Sequence, residues 1–554
     1  MKCDENTMYE IDANNFIDKY PSIENSLKNA ALISLDAEFS GIQNENAPGV
    51  TLFDSMPLRY DKLRNHINSF IIIQIGLTTL KYSRDENKYY SETYSFHILP
   101  KQLPFDDGQF SIQISSLEFL TRHNFDFNKL CYNGISFLDE TGELKLRESL
   151  KNNNYANNFR IFNNCTYEDV FTDSIDKVFK WLKEFKSNNQ SVPQSIEIEC
   201  ESFIHQCYLQ RELRNSFKDI WTESKEKSII VIKVSKDTRE ALEEQAQKQH
   251  NTILENQIID YYLGFTRVFK LLLTLKKPII GHNLLLDLLF MYKQFYKPLP
   301  KNYEVFKKDI NRMFPTIYDT KFLSYRLKKS IQAGAYKTNV LKELFEYFIR
   351  EARTPLLLNS PVIEVTGKTN NNNEKYHDAG WDSFCAAYCF IKIAYAQTLY
   401  NRNSIHDIPE LTNTEILYGI KDYKNCINII QADLSYLKLD GPDPDSTRPP
   451  WINISSDKLS LINIKEISET LASFGAITIQ PQSKRSILVA TSNYKTANQI
   501  LEHFQKNKDY RVTLYNPLRQ PLMTKSLIWG GLIVSGGLLT WFIRDTLMKP
   551  STQL

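Results

Sequence analysis

The sequence predicts an α/β protein: a mixed sheet flanked by helices, an insertion that divides its strands into two groups, a small α+β unit behind it, and an apolar span at the C-terminus. Three observations carry this expectation. Near the N-terminus "AALISLDAEFSGI" (30–42), "NSFIIIQIGLTTL" (68–80) and "TYSFHILP" (93–100) read as strands, the second β-branched and nearly unbroken, as a strand covered on both faces must be. Further on, "RVFKLLLTLKKPIIGHNLLLDLLFMYKQFYKPLP" (267–300) reads as helix, strand and helix, and "FPTIYDTKFLSYRL" (314–327) as a short strand running into a helix. "KYHDAGWDSFCAAYCFIKIAYAQTLY" (375–400) then ends in a long apolar helix. Last, "PPWINIS", "IKEISETLASFG", "AITIQPQ", "RSILVAT", "YKTANQILEHF" and "YRVTLYN" follow one another as β-α-β-β-α-β.

These runs set the predicted boundaries. Residues 1–150 form the first part of the sheet domain and 256–440 its second part. Between them, 151–255 is an inserted domain, marked by the turn-rich breaks "KNNNYANN" and "KSNNQSVPQS" and carrying an exposed charged helix at 235–250. Asn370 to Asn373 belong to a loop. The α+β unit spans 445–520, and 526–544 is the apolar segment.

Composition narrows the function classes. With 67 basic and 65 acidic residues the net charge is +2, which excludes a generally basic coat, so any nucleic-acid contact must be a local groove. The eight cysteines form no Cys-x-x-Cys pair, and the N-terminus carries acids where a signal peptide needs an apolar run. A zinc ribbon, secretion and a disulfide framework are therefore not expected. "LIWGGLIVSGGLLTWFI" (527–543) has no charge in 17 positions and spans about 25 Å as a helix at ~1.5 Å per residue. Trp529 and Trp541 stand near its ends, with Lys525, Arg544 and Lys549 flanking it, the pattern of a tail anchor that leaves everything before it in the cytosol. A short span with basic flanks suits the mitochondrial outer membrane or the endoplasmic reticulum.

The candidate site starts from two acids in the first strand. Residues i and i+2 of a strand share a face, so Asp36 and Glu38 aim at one spot. Like charges so placed require a divalent cation between them, protonation of one, or a strand end open to water. "GHNLLLD" puts Asp287 in the first turns of a helix, and "HDAGWD" puts His377 and Asp382 just before or within another. Four acids beside apolar core segments fit a site for two Mg²⁺ ions, with Mn²⁺ able to substitute, roughly 3.5–4 Å apart. One ion activates water and the other stabilises the leaving oxygen. His377, with an ordinary pKa of about 6.5, suits a general base over that water.

"LDAEFSGI", "RYDKLRNHINSFIIIQIGLTTL", "SLEFLTRHNFDFNKLCYNGI", "PIIGHNLLLD", "FPTIYDTK", "HDAGWD" and "YLKLDGPD" together resemble the poly(A)-specific ribonuclease branch of the DEDDh 3′-to-5′ exonucleases, up to about residue 518. The resemblance implies an RNase H-like nuclease fold with an RNA-recognition-like (RRM-like) C-terminal domain and release of 5′-mononucleotides from the 3′ end of single-stranded RNA. By motif, Asp36 and Glu38 match the first acidic pair, Asp287 the second aspartate, Asp382 the last, and His377 the general base; the four acids are also the family's metal ligands. The branch suggests a homodimer. The family's cap-stacking tryptophan is replaced here by Pro481, which offers no π surface, and its Arg-x-x-x-His signature is missing from the insertion. With the acids intact, the cap residue gone and an apolar tail present, the chain is similar to the membrane-anchored members of the branch that trim precursors of PIWI-interacting RNA (piRNA). For these the family implies a PIWI protein holding the RNA and a Tudor-domain adaptor. A poly(A) deadenylase and a non-catalytic, membrane-tethered RNA-binding protein are the alternatives.

Overall fold

The computed structural model describes residues 8–103, 108–151, 167–186, 194–248, 254–330, 339–353, 357–365, 376–402, 409–430, 432–456, 461–505 and 509–515. Strand β2 (Leu32–Phe39) is buried from Leu32 to Leu35 and again at Ala37, while Asp36, Glu38 and Phe39 are partly buried, so its apolar half lies in the core and its acidic half at the sheet's end. It pairs antiparallel with β3 (Ile72–Ser83) and parallel with β8 (Ile279–Gly281). The sheet runs β1 (Met8–Ile11), β4 (Lys88–His97), β3, β2, β8, β9 (Ile317–Asp319), and β10 (Val362–Val365) also pairs with β4.

Each predicted strand of this region is present. β1 and β10 were not anticipated: four residues each, they join β4 in parallel and carry too little sequence for a period to register. The helix Ala379–Asn401 packs along β2, β3 and β4. Phe390, Ile391 and Tyr395 are fully buried there with Leu32, Leu80, Tyr89 and Phe348, which is why the helix is apolar around its whole circumference.

By contacts the chain divides into two compact units. The first comprises the described residues of Met1–Gly49, Met56–Ile430 and Tyr436–Pro444. The predicted insertion builds its own antiparallel sheet in this unit, β5 (Ser195–Glu199), β7 (Ser228–Lys233) and β6 (Ile220–Lys225) in spatial order. It is joined to its surroundings by the helix Phe203–Ser216, which is buried on two faces. Leu209 and Leu213 pack with Trp181 and Val231, whereas Cys207 and Tyr208 pack with Leu138, Leu146 and Ile258. A short ribbon, β11 (Cys426–Asn428) with β12 (Tyr436–Lys438), completes the unit.

The second unit, the described residues of Val50–Ser55, Gln431–Ser435 and Asp445–Leu554, holds the expected β-α-β-β-α-β order. Its sheet runs β14 (Ile477–Ser483), β15 (Ser486–Thr491), β13 (Ile452–Ser456), β16 (Tyr510–Leu514). Ile452, Ile454, Ile467, Val489 and Ile500 fill its core, and Pro481 is exposed on β14. The apolar segment 526–544 lies outside the described residues; among the described residues no helix is long and apolar enough to cross a membrane. Described cysteines are free thiols, all buried except Cys131.

Candidate active site

The two strand acids reach the same end of the sheet from adjacent same-face positions of β2, with Asp36 paired to Gly76 and Glu38 to Gln74 of β3. Above Gly76 sits the start of the helix that carries Asp382. A β-carbon on Gly76 would fall 1.8 Å from the Ala379 carbonyl oxygen, so only glycine lets the helix approach the strand this closely. Gln74 fastens the approach: its amide donates to Asp378 Oδ2 and Ser95 Oγ, both at 3.0 Å, and its carbonyl accepts from the Ala379 N–H at 3.1 Å. Asp378 caps the helix, accepting from the N–H groups of Gly380 and Trp381.

That cap places Asp382 in the first turn and His377 in the turn before it, at a left-handed φ of 66°. The His377 N–H donates to Asp382 Oδ2 at 3.2 Å. Glu38, His377 and Asp382 each offer a ligand atom within 4.8 Å of the other two. Asp287 comes from the far side of β2, in the first turn of the helix Leu285–Met291. The turn before that helix is held by Asp319 at the end of β9, which accepts from the N–H groups of Asn283 (3.0 Å), Leu284 (3.1 Å) and, from β11, Asn428 (3.0 Å). His282 is pinned between the Thr320 hydroxyl and the Asn339 carbonyl, and burial pushes its imidazole down to about 3, so it stays neutral.

Electrostatics tie the set together. Burial first, then the charges of Asp382, Asp287, Glu38 and Asp378, push the Asp36 carboxyl well above the carboxylate range. Glu38 is raised in the same way by burial, Asp382, Asp378 and Asp287. Burial is also the main cause that lifts Asp287 to about 8 and Asp382 to about 7. Asp287 Oδ1 is buried with no hydrogen-bond partner. Mutually repelling hard-oxygen donors with an orphaned buried oxygen fit a divalent cation, which would supply the missing counter-charge.

A pH dependence follows. A raised carboxyl in the folded state makes folding progressively less favourable once the unfolded chain ionises, so stability is full below about 3.8 and is lost up to the folded values near 7 and 8. In EDTA, Tm should therefore fall from about pH 4 to pH 8, and Asp287→Asn should lessen the fall. A thermal melt series showing the same slope in both proteins would remove Asp287 from the strained set.

All five residues singled out in the sequence, Asp36, Glu38, Asp287, His377 and Asp382, converge here. Sequence reasoning missed Gln74, Gly76, Asp378 and Asp319. Two of these left a signal: a lone glutamine in the apolar run "FIIIQIG", and an aspartate immediately before a helix in "HDAGW".

Carboxylates from a strand and two helices around one histidine form the kind of centre that hydrolyses phosphodiesters. Residues 11–390 match the family model described as CAF1 family ribonuclease, and the chain belongs to that family. Over 542 residues it is 33% identical to the pre-piRNA 3′-exonuclease trimmer of Bombyx mori, covering 97% of this chain and 98% of that protein. It is 28% identical to the poly(A)-specific ribonuclease PARN of Xenopus laevis, covering 91% and 80%. Among solved structures, S. pombe Pop2p in its Mg²⁺- and Mn²⁺-bound form is similar at a TM-score of 0.33 and 16% identity, covering 70% of this chain and 92% of that one.

Proposed function

We propose that the protein is a metal-dependent 3′-to-5′ exoribonuclease of the DEDDh type that trims the 3′ ends of small-RNA precursors. The observation that carries this reading is the meeting of Glu38, His377 and Asp382 within 4.8 Å beside the like-charged Asp36, partly buried, and Asp287, buried. The end-to-end similarity to the Bombyx trimmer supports the choice of substrate. Asp36, Glu38, Asp287 and Asp382 would hold two Mg²⁺ or Mn²⁺ ions, which when bound supply charge neutralisation and lower the pKa of a bound water. His377 takes the proton of the attacking water at a ring nitrogen as the water oxygen bonds to the terminal phosphorus. The bond from phosphorus to the O3′ of the penultimate nucleotide breaks, releasing a 5′-mononucleotide and an RNA one residue shorter.

The segment 526–544 would tether the enzyme, facing the cytosol, to the mitochondrial outer membrane or the endoplasmic reticulum. A PIWI protein presents the RNA, a Tudor-domain adaptor recruits the enzyme, and the enzyme pairs as a homodimer. A second reading, poly(A) deadenylation, is favoured by the similarity to PARN. The deciding experiment compares shortening of 5′-labelled oligo(A) and mixed-sequence RNA by the purified protein in Mg²⁺ or Mn²⁺. Similar rates are expected; a strong adenosine preference transfers the assignment to the deadenylase. No cleavage of either RNA, even when PIWI-bound, leaves a non-catalytic RNA tether.

A further inference from the structure

The His377 ring is held in an unusual way. Its backbone N–H is tied to Asp382, yet among the described residues no side-chain hydrogen bond fixes the imidazole itself. The ring also lines a cavity of about 780 Å³ together with His97, Lys342 and Asp378, roomy enough for an imidazole to turn. What meets it are two aromatic rings from a different part of the chain. The His123 ring lies with its centroid 4.0 Å from that of His377 at 52°, and the Phe119 ring lies 4.8 Å away, edge-on at 76°. Phe119 and His123 touch each other at 4.7 Å, so the three rings close on one another.

Both rings come from the helix Ile114–Arg122 and its C-cap. Neither is there to fill a core: Phe119 is 38% exposed and His123 is exposed, while Leu120, packed with Ile71, Ile73 and Leu130, is the helix's one buried residue. The other end of the helix is fastened to the turn that leaves the acidic strand. The Gln113 N–H donates to the Ser40 carbonyl at 2.8 Å, the Gln113 side-chain carbonyl accepts from the N–H groups of Ile42 and Gln43, and Ser40 Oγ donates to the Ser111 carbonyl. Gly41 lies between these contacts, where a β-carbon would come 2.8 Å from Gln113 Cβ. One short helix therefore spans from two residues beyond Glu38 to the ring of His377.

We propose that this helix braces the general base against the acidic strand, with His123 and Phe119 as the positioning residues through which it acts. The inference rests on reading His377 as the base. A base must stay within hydrogen-bond reach of the water it deprotonates, and a displacement of about 1 Å costs on the order of 10² in rate. The rings supply that restraint by contact alone, so an aromatic of similar size should serve in place of His123.

The test uses the full chain with Mg²⁺ and 5′-labelled RNA, comparing kcat and KM for wild type, His123→Ala, Phe119→Ala and His123→Phe. kcat should fall about 10- to 100-fold in the alanine variants with KM within about 3-fold, and His123→Phe should recover most of kcat. In a His377→Ala background, His123→Ala should cost nothing more, because its effect runs through His377. An unchanged kcat in His123→Ala, a change confined to KM, failure of phenylalanine to rescue, or a full additional loss in the His377→Ala background each overturns the proposal. If wild type and His377→Ala cleave at the same rate, the reading of the base itself fails; if they differ while His123→Ala matches wild type, only the brace fails.

Discussion

Asp382→Asn is expected to slow RNA shortening by at least about 10³-fold while leaving the protein folded. Asparagine keeps the shape and still accepts the His377 N–H, now made to Oδ2 at 3.2 Å, so the turn that presents the histidine survives. What is lost is one of four negative charges. Charge stabilisation by a bound divalent ion is worth several kcal/mol in the transition state, and each ~1.4 kcal/mol is tenfold in rate. The same change should stabilise the metal-free protein at pH 8. Asp382, raised to about 7, is ionised there, and its charge helps hold Asp36 and Glu38 high. Ladder gels of 5′-labelled RNA and a melt in EDTA read both effects. Wild-type cleavage by the variant would end the site assignment.

His377→Ala is the second large effect, with an expected loss of about 10²- to 10⁴-fold in kcat, the usual contribution of a general base. Burial first, then the nearby His123 and Lys342, hold the imidazole below its ordinary 6.5. A lowered value means that the neutral form persists to lower pH. The wild-type rate should therefore fall to half its plateau only below pH 6.5, and the variant should lack this limb. A wild-type rate that already declines between pH 8 and 7 in step with imidazole protonation would contradict the environment described.

The candidate acids were legible because each rests on a local rule. Asp36 and Glu38 share a face of β2 by strand period, Asp287 stands at a helix start, and "HDAGWD" puts His377 and Asp382 at the start of another helix. The short strands β1 and β10 were not legible, since four residues show no period. Nor could the contacts of the supports be read, although Gln74 and Asp378 left a local signal. Gln74 and Asp378 are 304 positions apart, and Gly76 matters only because the Ala379 carbonyl comes to rest over it.

What the chain's letters determined alone was the order of the longer strands and helices and which residues carry hard-oxygen donors beside them, because these follow from periodicity and donor chemistry within a few neighbours. What only the tertiary structure decided was that three remote segments bring their carboxylates to one end of a sheet, and that a solvent-facing helix lays two rings on His377. Such meetings depend on how far apart packed surfaces stand in space, a quantity that no local spacing encodes.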